Sequence, residues 1–223
     1  MKKTILITGG AGFIGSHLAD ELLQEGYRVR VLDNLAEQVH GTPAIFPHYL
    51  NADVECVEGD VRNGDDVRQA LRGVDAVYHF AAVVGVGQSM YHIERYTDIN
   101  NRGTAVLLEA LLEHKVARLI VASSMSLYGE GLYRACGGEL RAPPERDVAQ
   151  LRAGHWEIDD GQGGMLEPVA TPETKIASPA SVYALSKYDQ ERMCLMFGRA
   201  YDIPVVALRF FNIYGPRQAL SNP

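Results

Sequence analysis

The chain has 223 residues, 47% of them apolar and 22% charged, enough to bury one substantial core. Its 28 acidic and 21 basic side chains leave a formal net charge of -7, without the clustered cations that nonspecific nucleic-acid binding needs. No apolar run approaches the roughly 18 residues of a membrane span, and a first strand expected at Thr4 leaves no room for a signal peptide. A cytoplasmic protein with no nucleic-acid or membrane partner is expected.

In chain order, short β-branched runs predict strands at 4–8, 28–32, 54–58, 76–80, 118–122 and 205–211. Between them, apolar residues at three- and four-residue spacing predict helices at 12–25, 65–71, 98–114 and 182–201. Strands alternating with helices make βαβ units, so the expected fold class is α/β, a doubly wound parallel sheet of the Rossmann type occupying residues 1–223. One stretch breaks the rhythm. From 129 to about 178 the chain is rich in Gly, Pro and charge and reads as an irregular insertion. Within it, CGGELRAP at 136–143 and QGGMLEPV at 162–169 form two related Gly-Gly turns. They are spaced like the knuckles of a zinc ribbon, but of the positions that would hold thiols, Tyr133, Cys136, Asp160 and Gly163, only one is Cys, so no metal is expected. The three cysteines, Cys56, Cys136 and Cys194, suit small buried groups or idle thiols better than a disulfide framework.

The first chemical signal is TGGAGFIG. Gly9, Gly12 and Gly15 follow an apolar strand and open an amphipathic helix that begins with Phe13 and Ile14. In that context Gly9 permits the tight turn, Gly12 lets a pyrophosphate approach the backbone, and Gly15 lets helix pack on strand. Asp33 closes the next strand in VLDNL, where a carboxylate accepts hydrogen bonds from the adenosine ribose. It would repel a 2'-phosphate, and Asn34 beside it carries no positive charge, which favours NAD over NADP. GDVR puts Asp60 and Val61 at the strand edge where an adenine would lie, and HFAA ends the fourth strand with Phe80, Ala81 and Ala82, small enough at its end for a cofactor to pass. His79 in that run reads as a packed core histidine.

The second signal is Tyr183 and Lys187 in SVYALSK, one turn apart on the same helical face. A nearby ammonium favours the phenolate, which makes tyrosine usable as an acid-base group near neutral pH. Such a group needs a partner to orient the reacting hydroxyl, and Ser124 in SSMSLYG, just beyond the fifth strand, is the candidate.

Taken together, TGGAGFIG, DN, GDVR, HFAA, SSMSLYG, YALSK and LRFFNIYGPRQ resemble the extended short-chain dehydrogenase/reductases, in particular their nucleotide-sugar epimerase and dehydratase branch. The resemblance implies NAD as cofactor, a nucleotide-sugar substrate and a homodimer, the last supported by broad apolar faces on the helices at 98–114 and 182–201. Tyr183 would be the acid-base residue, Lys187 would bind the nicotinamide ribose and lower the tyrosine pKa, and Ser124 would bridge to the substrate hydroxyl. Asn100 would hold backbone or water near the site, Phe211 would line the nicotinamide, and Ser126 and Asn212 would face the sugar diphosphate. Dehydratases of this branch carry an Asp-Glu pair after the serine. Here Met125 and Ser126 stand there, so 4-epimerisation of a dTDP- or UDP-hexose is expected, with most likeness to enzymes of the dTDP-L-rhamnose 4-epimerase type. Val83 and Val84 occupy positions where galactose-type epimerases usually place a lysine. The chain also stops at Pro223, before the region that builds most of the sugar pocket in such enzymes. A reductase or dehydrogenase acting on a non-nucleotide alcohol or ketone, and a dinucleotide-binding module without turnover, remain alternatives.

Overall fold

Alternation decides the layering of the sheet. Every residue of the first strand, β1 (Thr4–Thr8), is buried, and successive side chains point to opposite faces, so both faces must be covered by helices. The computed structural model describes residues 2–161 and 163–220. By compactness these fall into two units, Met1–Ser124 with Ser181–Pro223, and Met125–Ala180.

The first unit is built on β1, β2 (Arg28–Asp33), β3 (Glu55–Glu58), β4 (Ala76–His79), β5 (Arg118–Ser124) and β9 (Val205–Phe210), all parallel in the order β3-β2-β1-β4-β5-β9. This is the doubly wound Rossmann sheet. On one face Leu6, Leu32, Val77 and Leu119 meet α3 (Gly64–Leu71), α6 (Gly103–Glu113) and α8 (Val182–Tyr201) through Val67, Leu107, Leu111 and Phe197. On the other, Ile5, Ile7, Val29 and Val31 meet α1 (Phe13–Gln24) through Ala19 and Leu22. Single turns of helix, α2 (Glu37–His40), α4 (Val86–Ser89) and α5 (Ile93–Tyr96), join these elements. None of the described helices is long and apolar enough to cross a membrane.

Two boundaries differ from the sequence reading in ways that matter for chemistry. β5 runs on through Ser124, because its extra residues continue to pair with β9, Ser124 standing opposite Phe210. Ser124 is therefore the last residue of the strand and not a loop residue. The helix expected from residue 98 begins instead as a π-helical turn, Thr97–Arg102, which widens the backbone spiral at Asn100 before α6.

The second unit holds more regular structure than its composition suggested. Strands β6 (Leu132–Arg134), β7 (Leu140–Arg141) and β8 (Glu167–Val169) form an antiparallel sheet in the order β7-β6-β8, with a short helix, α7 (Val148–Arg152). The two Gly-Gly turns face each other. A Cβ added at Gly164 would lie 2.7 Å from the Asp160 carboxylate and 2.9 Å from Cys136 Sγ. Tyr133, Ala135 and Leu166 fill the space beneath them, with Ile158 alongside. Gln162 of the second turn lies outside the described residues.

Candidate active site

The glycine turn is shaped by close contacts. Gly9 has φ +70°, a left-handed conformation that favours glycine, and a Cβ there would sit 2.7 Å from the Ala81 nitrogen. At Gly15 a Cβ would lie 2.5 Å from the Gly9 carbonyl oxygen and 2.6 Å from Gly10 Cα, so only glycine lets α1 approach the turn. Gly12 differs. It caps α1 with no side-chain hydrogen bond, and a Cβ there would meet only the Gly9 carbonyl, at 3.3 Å. The backbone amides at the N-terminus of α1, at Phe13 and Ile14, thus have no side-chain cap.

Beside the turn, Asp33 is held rigidly. One carboxylate oxygen accepts from the Ala11 amide at 3.0 Å, the other accepts from the Leu35 amide at 3.0 Å, and His40 Nε2 lies 3.6 Å from the latter. Asn34 donates to Asp60, whose carboxylate is also forked by the Arg62 guanidinium. That hydrogen bonding outweighs burial and holds the Asp60 carboxyl down at about 2. Arg62 continues to Asp98 at 2.6 Å, while Val61 packs so closely on Gly103 that a Cβ there would meet it at 2.8 Å. The side chains of Asp60 and Val61 thus serve the scaffold.

At the same edge of the sheet, Phe80 and Ala81 bond back to Thr8, and the Phe80 ring meets Phe210 edge-on at 5.9 Å. Ala82 follows, half-buried. The chain after β9 returns to α1: His17 Nε2 donates to the Pro216 carbonyl at 3.1 Å, and Arg217 pairs with Asp20 at 2.7 Å while lying over the Tyr49 ring. Tyr49 in turn donates to the Ala11 carbonyl. None of these supports was legible beforehand, since each joins residues far apart in sequence.

Across the edge stand Ser124, at the end of β5, and Tyr183, in the first turn of α8. Ser181 caps that helix by accepting from the Ala184 amide. Ser124 and Tyr183 share a hydrogen bond. Burial raises the Tyr183 phenol above its usual pKa, with the Ser124 bond opposing. In the protein alone the phenol is therefore protonated. Tyr96 packs edge-on against the Tyr183 ring, anchored by its own hydroxyl on the Val84 carbonyl at 2.6 Å.

Lys187 lies one turn beyond, fully buried, and burial lowers its ammonium to about 8. Asn100 uses the wider π-helical turn to reach in three directions. Its Oδ1 accepts from the Val83 amide at 2.8 Å, while its Nδ2 donates to the Val83 carbonyl and to Ser186. Asn100 thereby joins the segment after β4 to α8. Phe211 and Asn212 sit just past β9, both exposed. Ser126 belongs to the second unit, where its carbonyl accepts from the Gly129 amide. Among the described residues, no group of three metal-capable side chains converges.

A glycine cradle, a fixed acid and a Ser-Tyr-Lys set on one sheet edge invite comparison with known proteins. The model of the NAD-dependent epimerase/dehydratase family matches residues 5–146 and 160–223. The chain belongs to this family. A relative, the dTDP-L-rhamnose 4-epimerase of Burkholderia thailandensis, is 35% identical over 99% of this chain and 60% of its own length. A probable UDP-arabinose 4-epimerase of Arabidopsis thaliana is 32% identical over 95% of this chain and 44% of its own. Among solved structures, the UDP-glucose 4-epimerase of Thermotoga maritima with UDP-glucose superimposes with a TM-score of 0.73 at 30% identity, covering 96% of this chain and 57% of that one. The UDP-glucuronic acid 4-epimerase of Bacillus cereus, in complex with UDP-glucuronic acid and NAD, has the same TM-score and identity, covering 97% and 59%. The chain thus spans at most 60% of the length of these family members. The internal stretch the family model leaves unmatched, 147–159, lies within the second unit.

Proposed function

We propose that this chain carries the cofactor-binding and acid-base half of an NAD-dependent nucleotide-sugar 4-epimerase acting on a dTDP- or UDP-hexose. The observation that carries this reading is the Ser124–Tyr183 hydrogen bond at the sheet edge that also bears the glycine turn. Four named relatives and structural neighbours are 4-epimerases of dTDP- or UDP-sugars, and one was solved with NAD.

The residues present fit NAD. The open side of Gly12 and the uncapped start of α1 at Phe13 and Ile14 suit a pyrophosphate. Asp33, flanked by Asn34, suits the adenosine ribose and disfavours a 2'-phosphate. The backbone of Asp60 and Val61 would border the adenine, and Phe80, Ala81, Ala82, Asn100 and Phe211 would border the dinucleotide farther along. Bound NAD supplies the hydride acceptor and donor. The chain's own part is proton handling: Tyr183 receives the proton of the sugar 4-hydroxyl and later returns it, while Ser124 orients that hydroxyl. Because burial raises the phenol, positive charge near it must bring it down for this task, and that role is assigned to Lys187, one turn along α8, together with the bound dinucleotide. Asn212 is assigned to the sugar diphosphate. Met125 and Ser126 supply no carboxylate after Ser124, which favours epimerisation over dehydration.

In the same reading the protein is a homodimer paired through the exposed faces of α6 and α8, where Leu112, Leu185 and Met196 stand uncovered. Its place is the cytoplasm and carbohydrate metabolism, in keeping with three free cysteines. The test is to incubate the protein with NAD and dTDP- or UDP-hexoses and follow the sugar protons by NMR. C4 epimers should appear without net NADH, and Tyr183→Phe should slow their formation by about 10²–10⁴-fold. Accumulation of NADH without an epimer would show a dehydrogenase, and NAD binding with no turnover would show a binding module.

A further inference from the structure

Beneath the proposed site runs a chain of buried side chains that the acid-base scheme does not use. Lys187 Nζ donates to Gln190 Oε1 at 2.8 Å, and Gln190 Nε2 donates to Thr104 Oγ1 at 2.7 Å. Thr104 donates its own proton to the Asn100 carbonyl at 2.7 Å, so its oxygen can only accept from its other neighbours. His79 Nε2, 2.9 Å away, must then be the protonated ring nitrogen. Burial drives the His79 pKa down to about 3, so the ring is neutral and Nδ1 is bare, accepting from the Thr8 hydroxyl at 2.8 Å. Thr8 in turn accepts from the Ala81 amide, against which Gly9 is packed. Every proton in the row is assigned by what its neighbours can give or take. The orientation of the Gln190 amide is fixed in the same way, because an ammonium can only donate.

We propose that Gln190 is a positioning residue for Lys187: it takes one of the three ammonium protons, aims the other two at the ribose hydroxyls of a bound dinucleotide, and ties the ammonium through Thr104 and His79 to the glycine turn. The proposal rests on the reading of Lys187 as a cofactor ligand. A leucine at 190 would leave a buried ammonium proton and a Thr104 lone pair unmet, each costly in a dry interior. A glutamate would accept from Lys187 but could not donate to Thr104 in its ionised form. Glutamine satisfies both ends.

The titratable groups facing Lys187 are His79 from β4 and Cys194 from its own helix, with Tyr183 one turn back. Cys194 is pushed up to about 12 and Tyr183 is raised, so with His79 all three are uncharged between pH 7 and 9. Of the acids on α8, Glu191 is taken up by Arg209 and Ser123 and Asp189 by Asn101, and Asp98 of the π-helical turn is taken up by Arg62 and Arg102. Between pH 7 and 9, then, the titration of Lys187 is not masked by these neighbours.

The test is calorimetric titration of the chain with NAD from pH 6.5 to 9.5, with far-UV circular dichroism as a check on folding. Wild-type affinity should fall as pH rises through about 8, where Lys187 loses its proton. In Gln190→Met that fall should move down by about one pH unit or more, since a hydrogen bond to a charged group is lost. Gln190→Glu should move it upward. Should Gln190→Met fail to fold, the upward shift in Gln190→Glu decides alone. A folded Gln190→Met whose affinity falls at the wild-type pH, or a Gln190→Glu without the upward shift, overturns the proposal. Lys187→Met separates the two layers: if it binds NAD with wild-type affinity and pH dependence, the cofactor-ligand reading of Lys187 fails first.

Discussion

The two compact units solve the same problem on different scales. The sheet unit buries both faces of a six-stranded parallel sheet, and its larger core runs unbroken from Leu6 through Leu107 and Leu119 to Phe197. The unit at Met125–Ala180 has strands of two and three residues and a buried cluster of Tyr133, Ala135 and Leu166. It relies on tight turns and local ion pairs such as Arg146–Glu130 and Arg141–Glu139. The lesson is that precise placement of chemistry needs the first kind of support. Ser124, Tyr183 and Lys187 are all held by elements whose buried faces leave them little freedom.

Glycines give the sharpest contrast. Gly15→Val puts side-chain atoms where the Gly9 and Gly10 backbone already lies, and should cost at least about 4 kcal/mol, unfolding the sheet unit or abolishing NAD binding. Gly138→Ala in the other unit meets no atom within 4 Å and is strained only by its φ of +85°, so about 1 kcal/mol is expected. Urea melts of both variants measure the difference. Core truncation comes next. Leu107→Ala should lose about 3 kcal/mol across the whole sheet unit, whereas Leu166→Ala should lose about 2 kcal/mol and release the amide protection of residues 125–180 alone. Hydrogen exchange reads this directly, and protection lost uniformly over the chain would erase the distinction.

The ladder of strands was legible because it repeats. Six apolar runs of the right length, four of them followed by a helical period, are enough to predict a Rossmann sheet, and the predicted 182–201 helix matches α8. What escaped reading was short or nonlocal. A five-residue helix and strands of two and three residues are below the length at which any period shows, so the second unit looked irregular. The π-helical turn at Asn100 leaves no mark in the spacing of apolar residues. At the site, the glycine contacts and the pairing of Ser124 with Tyr183 follow from motif order. Gln190 and Glu191, in contrast, belong to none of the motifs that the sequence offers. Their burial is decided by His79, Thr104, Ser123 and Arg209, which only the folded sheet brings near.

Charge gives a smaller and more selective probe. Burial raises the Glu191 carboxyl, but hydrogen bonds from Arg209 and Ser123 outweigh it and hold the group below its usual range. A carboxyl depressed in the folded state contributes stability that is present above its unfolded pKa and is lost as pH falls through the folded one. Asp60, held at about 2, behaves alike. The sheet unit should therefore weaken as pH drops from about 4 towards 2, and Glu191→Gln should cost about 2 kcal/mol at pH 7 and flatten part of that dependence. Thermal melts across that range check the sign. The smallest effect belongs to the other unit, where Arg146→Ala should change stability by less than about 1 kcal/mol.

The most direct measurement is a crystal structure of the protein with NAD and a UDP- or dTDP-hexose. The dinucleotide should lie over Gly12 with its adenosine ribose on Asp33, and the sugar 4-hydroxyl should come within about 3 Å of the Tyr183 oxygen and Ser124. A dinucleotide seated elsewhere, or a 4-hydroxyl more than about twice that distance from the phenol, would contradict the acid-base assignment.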